Sequence, residues 1–205
     1  NNGLPISRVI KLVFPSSSPS IVESKSLKLY LNSFSMEKMG ATVEECLNRA
    51  KDMIESDLKK LLNVPTMTLS FFEEGKTEID YIFKEYEDVF DKIDTSNIQI
   101  EHFKEDPEAL KLEEYLYRGP VEHKLMFIAL RSNCRVTFQP DWSNCFIYYK
   151  SYKIINPESL VKYLCSFRNE FHFHEECCEM IFRRLQTLLN HSDAELMVTC
   201  LYTRR

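Results

Sequence analysis

The sequence predicts an α+β protein with helices laid against one face of its sheets, and two observations carry that expectation. Segments alternating apolar and polar residues are interspersed with segments whose apolar residues recur at helical spacing. The order strand, helix, strand also occurs in both halves of the chain, which suggests two related units. In order, Arg8–Phe14 (RVIKLVF) reads as a strand, and PSSSPS after it as a loop, because its Pro and Ser residues prevent regular pairing. ESKSLKLYLNSF, Glu23 to Phe34, contains no glycine or proline to interrupt a helix. Thr42 and Glu45 match a capping box, and Val43, Leu47, Ala50, Ile54, Leu58 and Leu61 then mark one helical stripe up to Asn63 and Pro65. TMTLSFF, Thr66 to Phe72, alternates as a strand should, and gives that stripe something to cover.

Glu73 to Pro120 is charged and irregular, with Gly75, Pro107 and Gly119-Pro120 as breakers, and reads as a connector. It places the first unit at residues 1–100 and the second at 101–205. Lys124 to Ile155 is β-rich: KLMFIALRSN, then RVTF, then NCFIYYK, with a turn expected near Lys150-Ser151 and a short SYKII return. Asn156 as N-cap and Pro157 at the first helical position start a helix. Cys178, Ile181, Phe182, Leu185 and Leu189 give the apolar face of the next, and ELMVTCLY is a final strand.

Composition narrows the function. The 205 residues are 44% hydrophobic and 12% aromatic, enough for a real core. A formal net charge of -5 argues against general nucleic-acid binding, which needs a concentrated basic surface. No apolar run approaches the roughly 18 residues that cross a membrane, and no charged-then-apolar leader opens the sequence, so a cytoplasmic protein is expected. Seven cysteines, an odd number without a CxxC pair, suit thiols in a reducing compartment.

Three clusters hold residues suited to chemistry. With only four glycines in the chain, neither GxGxxG nor a phosphate-cradling Walker loop can be written. Lys25 and Lys28 are three apart and share one helical face, where two ammonium groups suit phosphates; the competing reading is a solvated amphipathic helix. Cys134 in SNCRVTFQPDW is either a packing cysteine or a nucleophile, and the second reading needs a neighbouring base, which Asp141 offers. Pro140 and Trp142 flank that carboxylate and shield it from water. In FRNEFHFHEECC, two histidines two apart point apart on a helix, so no metal site is expected. Glu175 beside the Phe173 ring suits a flat, nitrogen-rich heterocycle instead.

These segments, in this order, resemble the 7-cyano-7-deazaguanine reductase family of nitrile reductases. ESKSLKLY resembles its signature segment, SNCRVTFQPDW its nucleophile region, SFRNEFHFHEEC its substrate-binding helix and LYTRR a run near its C-terminus. The signature preceding the cysteine is the order of the long, two-unit form. The resemblance implies a tunnelling fold of tandem ββααββ-type units, a homodimer as the assembly, and a free base rather than nucleic acid as the partner. It also implies reduction of 7-cyano-7-deazaguanine to 7-aminomethyl-7-deazaguanine with two NADPH, within queuosine biosynthesis for tRNA modification. Carried across residue by residue, Cys134 is the nucleophile, Asp141 exchanges its proton and His174 donates one to nitrogen. Glu23, Ser24, Phe173 and Glu175 hold the substrate, while Lys25, Lys28 and Arg204 or Arg205 contact NADPH phosphates. The family pattern has one Phe-His pair where FHFHE offers two, and counting back from Cys177 selects Phe173-His174-Glu175. Phe138 stands where long-form relatives commonly have His. The rivals are a non-catalytic binding or assembly protein of the same fold, and a Cys–His hydrolase of amides or nitriles.

Overall fold

The computed structural model describes residues 8–73, 83–189 and 194–202. The chain is mixed α+β and separates into two compact units, Asn1–Ile82 and Phe83–Arg205. The division therefore falls earlier than the boundary expected at 100. Its physical cause is aromatic and aliphatic packing: Phe83 stacks on Phe146 with centroids 4.0 Å apart, and Val89 is fully buried in the second unit's core.

In the first unit, strands β1 (Val9–Val13) and β2 (Thr68–Phe72) pair antiparallel, with Leu12 opposite Leu69. Helix α1 spans Ser24–Asn32 and α2 spans Val43–Leu62. Helix α2 begins where its capping chemistry dictates: the Thr42 hydroxyl accepts the Glu45 N–H at 3.1 Å, and the Glu45 carboxylate accepts the Ala41 N–H at 2.8 Å. It ends at Asn63, whose left-handed φ of 51° lets its N–H return to the last turn. Ile54, Leu58 and Leu62 from α2 are buried with Val64, Met67 and Leu69, and this small core holds the helix on the two-stranded sheet.

The second unit is built on a sheet ordered β3 (Glu87–Asp88), β4 (Leu112–Cys134), β5 (Pro140–Ile155) and β7 (Glu195–Tyr202), with the short β6 (Phe171–His172) also on β4. The pairs β4–β5 and β5–β7 are antiparallel, whereas β3 and β6 run parallel to β4. Helix α3 (Pro157–Ser166) starts as expected, with the Asn156 side chain accepting the Ser159 N–H at 2.8 Å. Helix α4 spans His174–Leu189. Leu160, Val161 and Leu164 of α3 and Ile181, Leu185 and Leu189 of α4 are buried against Leu125, Phe127, Leu130, Ile147 and Tyr149 of the sheet.

Four expected details differ. RVTF is not a strand: residues 135–137 form the turn between β4 and β5. No turn interrupts Lys150-Ser151, because β5 continues through it in one ladder, burying Ser151 and Ile155 on the same alternation as Ile147 and Tyr149. Gly119-Pro120 lies inside β4 instead of breaking it, and the ladder absorbs the missing proline N–H as a register shift between Leu116 and Val121. The buried face of α4 carries Cys177, not Cys178. No helix among the described residues is long and apolar enough to cross a membrane.

Candidate active site

Pairing between β4 and β5 decides which side chains share a face. Ser132 lies directly opposite Asp141, and Asn133 opposite Pro140. Side chains two apart on a strand point the same way, so Cys134 shares the face of Ser132 and becomes the diagonal neighbour of Asp141, at the roughly 7–8 Å spacing of such ladders. The turn that follows is closed by Cys134 N–H to Gln139 O and Phe138 N–H to Cys134 O, both 2.8 Å. Phe138 holds a φ of 57° and is 70% exposed. A left-handed backbone at a bulky L-residue costs about 1–2 kcal/mol, so strain is stored four residues from the thiol.

The same face continues apolar toward Cys145 and Ile147, but around the thiol it is polar. Asp141 is 3% exposed and Cys134 2%, with Ser132 and Ser143 buried beside them in sequence. The first turn of α4 completes the group: His174 Nε2 lies 3.0 Å from Asp141 Oδ2. The Asp141 carboxylate is thus flanked by the Cys134 position on its own sheet and by an imidazole from the helix. That arrangement gathers a thiol-bearing strand position, a buried carboxylate and an imidazole, the three group types that covalent addition with proton exchange uses. The Tyr202 ring, from the last residue of β7, lies flat on His174 with centroids 3.8 Å apart and planes within 1°.

Other thiols lie in the same unit. Burial pushes the Cys177 thiol up to about 11. Hydrogen bonding with the Cys200 thiol and burial push Cys178 far above the ordinary range, and hydrogen bonding with the Cys145 thiol pushes Cys200 up.

The N-terminus of α4 is pinned by Glu176. Its carboxylate accepts the Phe173 N–H at 2.9 Å and pairs with Arg135 Nη2 at 3.1 Å. The Arg135 guanidinium also sits 5.2 Å above the Phe173 ring. His172 is occupied elsewhere, its Nε2 3.1 Å from Glu170 and its Nδ1 3.5 Å from Glu176. Of the two Phe-His pairs, the one chosen by counting back from Cys177 is the one that reaches Asp141. Glu175 follows in the first helical turn and is half-buried.

The remaining expected site residues belong to the first unit. Glu23 is the N-cap of α1: its carboxylate accepts the Lys25 N–H at 3.0 Å and both the N–H and the hydroxyl of Ser26 at 2.6 Å. Partial burial works against ionisation, but the bonds from Ser26 and Lys25 together outweigh it and hold this carboxyl below its usual range. Ser24 opens the helix, and Lys25 and Lys28 are exposed along it. Arg204 and Arg205 lie outside the described residues. A cavity of about 570 Å³ opens elsewhere in the second unit, lined by Lys111, Glu113, Asn156, Glu158 and Lys162 among others, and none of the expected site residues lines it.

Arg135, Glu176 and Tyr202 escaped the sequence reading. Arg135 adjoins the cysteine and Glu176 stands three residues after Phe173, the spacing of a cap, so both left a local signal. Tyr202 left none, since its contact depends on β7 pairing with β5.

Comparison with known proteins agrees across both units. Residues 140–205 match the family described as QueF-like protein, and residues 1–68 the one described as nitrile reductase, 7-cyano-7-deazaguanine-reductase N-term. The NADPH-dependent 7-cyano-7-deazaguanine reductase of Colwellia psychrerythraea is 34% identical over 204 residues, covering 99% of this chain and 68% of that protein. Its namesake in Cupriavidus pinatubonensis is 35% identical over 205 residues, with 99% and 68% covered, and that of Buchnera aphidicola subsp. Schizaphis graminum 34% over 206, with 100% and 72% covered. Likeness of this extent, running through the segments that bear the cysteine, the aspartate and the helix-borne histidine, establishes that the chain belongs to the NADPH-dependent 7-cyano-7-deazaguanine reductase family.

Proposed function

We propose that this chain reduces the nitrile of 7-cyano-7-deazaguanine to the primary amine of 7-aminomethyl-7-deazaguanine, consuming two NADPH, as a step of queuosine biosynthesis. The observation that carries this reading is the Asp141 carboxylate, buried on the Cys134 face and 3.0 Å from His174 Nε2. A nitrile carbon is electrophilic. The Cys134 sulfur adds to it, one C–N π bond breaks, and the thiol proton passes to Asp141 while nitrogen takes a proton from His174, leaving a covalent thioimide. NADPH, when bound, would supply the two hydrides that carbon needs, and His174, reprotonated from solvent, would give nitrogen the second proton of the amine. Between those reductions the C–S bond breaks, Cys134 leaves with the proton returned by Asp141, and an imine remains. Phe173 offers the substrate ring a flat apolar surface, and Glu175 accepts from its N–H edge.

The residues present fit the cofactor. Lys25 and Lys28 stand exposed on α1, at the i, i+3 spacing that lets two ammonium groups meet phosphate oxygens. Lys28→Ala is expected to raise the KM for NADPH about tenfold with kcat little changed, the loss of one charge-assisted contact, in steady-state kinetics. Alanine is also the better helix former, so α1 stays intact.

The deciding experiment is intact mass after mixing the protein with 7-cyano-7-deazaguanine in the absence of NADPH. A reductase of this mechanism gains the mass of one nitrile, and adding NADPH then discharges it with NADPH oxidation. A non-catalytic binder does neither. A Cys–His hydrolase releases ammonia without oxidising NADPH, and that outcome would reject the reading. The same reading takes the two units as tandem tunnelling-fold units of a cytoplasmic homodimer handling a free base, which light scattering in solution tests as to mass.

A further inference from the structure

We infer that Tyr202 is a positioning residue for His174: the stacked phenol ring fixes the plane of the imidazole and so keeps Nε2 3.0 Å from Asp141 Oδ2. This inference rests on the reductase reading for its kinetic consequence and on geometry for its cause. Tyr202 closes β7 opposite Ser143, two residues along β5 from Asp141, so the pairing places it on the Asp141 side of the sheet. Its ring covers one face of His174 at 3.8 Å and 1°.

An imidazole at a helix start has two side-chain torsions, the second of them broad and weakly determined. One polar contact at Nε2 does not fix the ring plane, because the imidazole can tilt about the Cβ–Cγ bond around that contact while the helix stays in place. A flat aromatic surface against the ring forbids that rotation. Burial pushes the Tyr202 phenol above its ordinary range, and what it presents to His174 is the flat of its ring. Misplacing a proton-transfer group by about 1 Å is enough to cost on the order of 10²-fold.

The test compares Tyr202→Phe, which keeps the ring, with Tyr202→Leu, which removes it. In proton NMR of the protein without ligands, the His174 ring protons of the wild type and of Tyr202→Phe are expected upfield, displaced by the ring current above them. In Tyr202→Leu that displacement is lost. In kinetics, Tyr202→Leu is expected to lower kcat about tenfold or more, with KM for the nitrile within about twofold, while Tyr202→Phe stays within about twofold of wild type. Should Tyr202→Leu fail to fold, Tyr202→Met keeps the buried volume without a ring and takes its place. Unshifted His174 protons in the wild type, or a ringless variant with wild-type kcat, overturns the inference. A wild type that oxidises no NADPH rejects the reductase reading instead, and is recognised by a His174 ring shift that persists.

Discussion

Cys134→Ala is expected to give no adduct with 7-cyano-7-deazaguanine by intact mass and to lower turnover by about 10⁴-fold or more, the scale on which removal of a covalent nucleophile acts. The fold tolerates the change. Cys134 is 2% exposed, and removing one buried sulfur leaves a small void at the end of β4, costing about 1 kcal/mol, visible as a modest shift in a denaturant midpoint. Loss of activity in a protein still folded therefore isolates the chemistry. Cys46→Ser, in the first unit, serves as the control: its thiol donates to the Gly40 carbonyl at 3.6 Å, a bond that a hydroxyl can keep, and both adduct and turnover should persist. Near-normal turnover by Cys134→Ala would remove the covalent mechanism outright, whatever the product.

The burial of Cys134 bears on how a nucleophile is recognised. By exposure alone it matches the core thiols Cys145 and Cys177. What separates it is the neighbourhood, since Cys145 packs among aliphatic and aromatic side chains whereas Cys134 shares its face with Ser132 and Asp141. Buried carboxylates and hydroxyls at one end of an otherwise apolar face are costly to fold, and a packing role for the cysteine does not require them.

Local signals and long-range pairing account for what could be read in the chain. Helix α2 was legible from Thr42 to Asn63 because its start, stripe and stop all lie in neighbouring residues. Strand β5 was not. Lys150-Ser151 looks like a turn, yet its backbone is claimed by β4 on one side and its start by β7 on the other, and only tertiary pairing says so. The site divides in the same way. Cys134 and Asp141 come together through a hairpin five residues long, near enough in sequence for their pairing to be guessed. His174 needed the likeness to a family. Tyr202 arrives through a strand pairing with no trace in the residues around it.

Asp141→Asn should lower kcat and the rate of adduct formation by about 10²–10³-fold while leaving KM for the nitrile within a few fold, because the amide fills the same space and cannot take the thiol proton. Two effects on stability oppose one another and keep the net change small. The variant loses the 3.0 Å pairing with His174 Nε2, yet it also removes a carboxylate that is 3% exposed and whose desolvation is costly. A change within about 1 kcal/mol is therefore expected in a denaturant melt, so the rate loss cannot be laid to unfolding. The direction of the pH dependence adds a second check: without a carboxylate to take the thiol proton, adduct formation by the variant should rise with pH as hydroxide takes over that role. Wild-type adduct rates in Asp141→Asn at neutral pH would show the carboxylate to be a structural partner of His174 alone, and would leave activation of Cys134 to some other group on the same face.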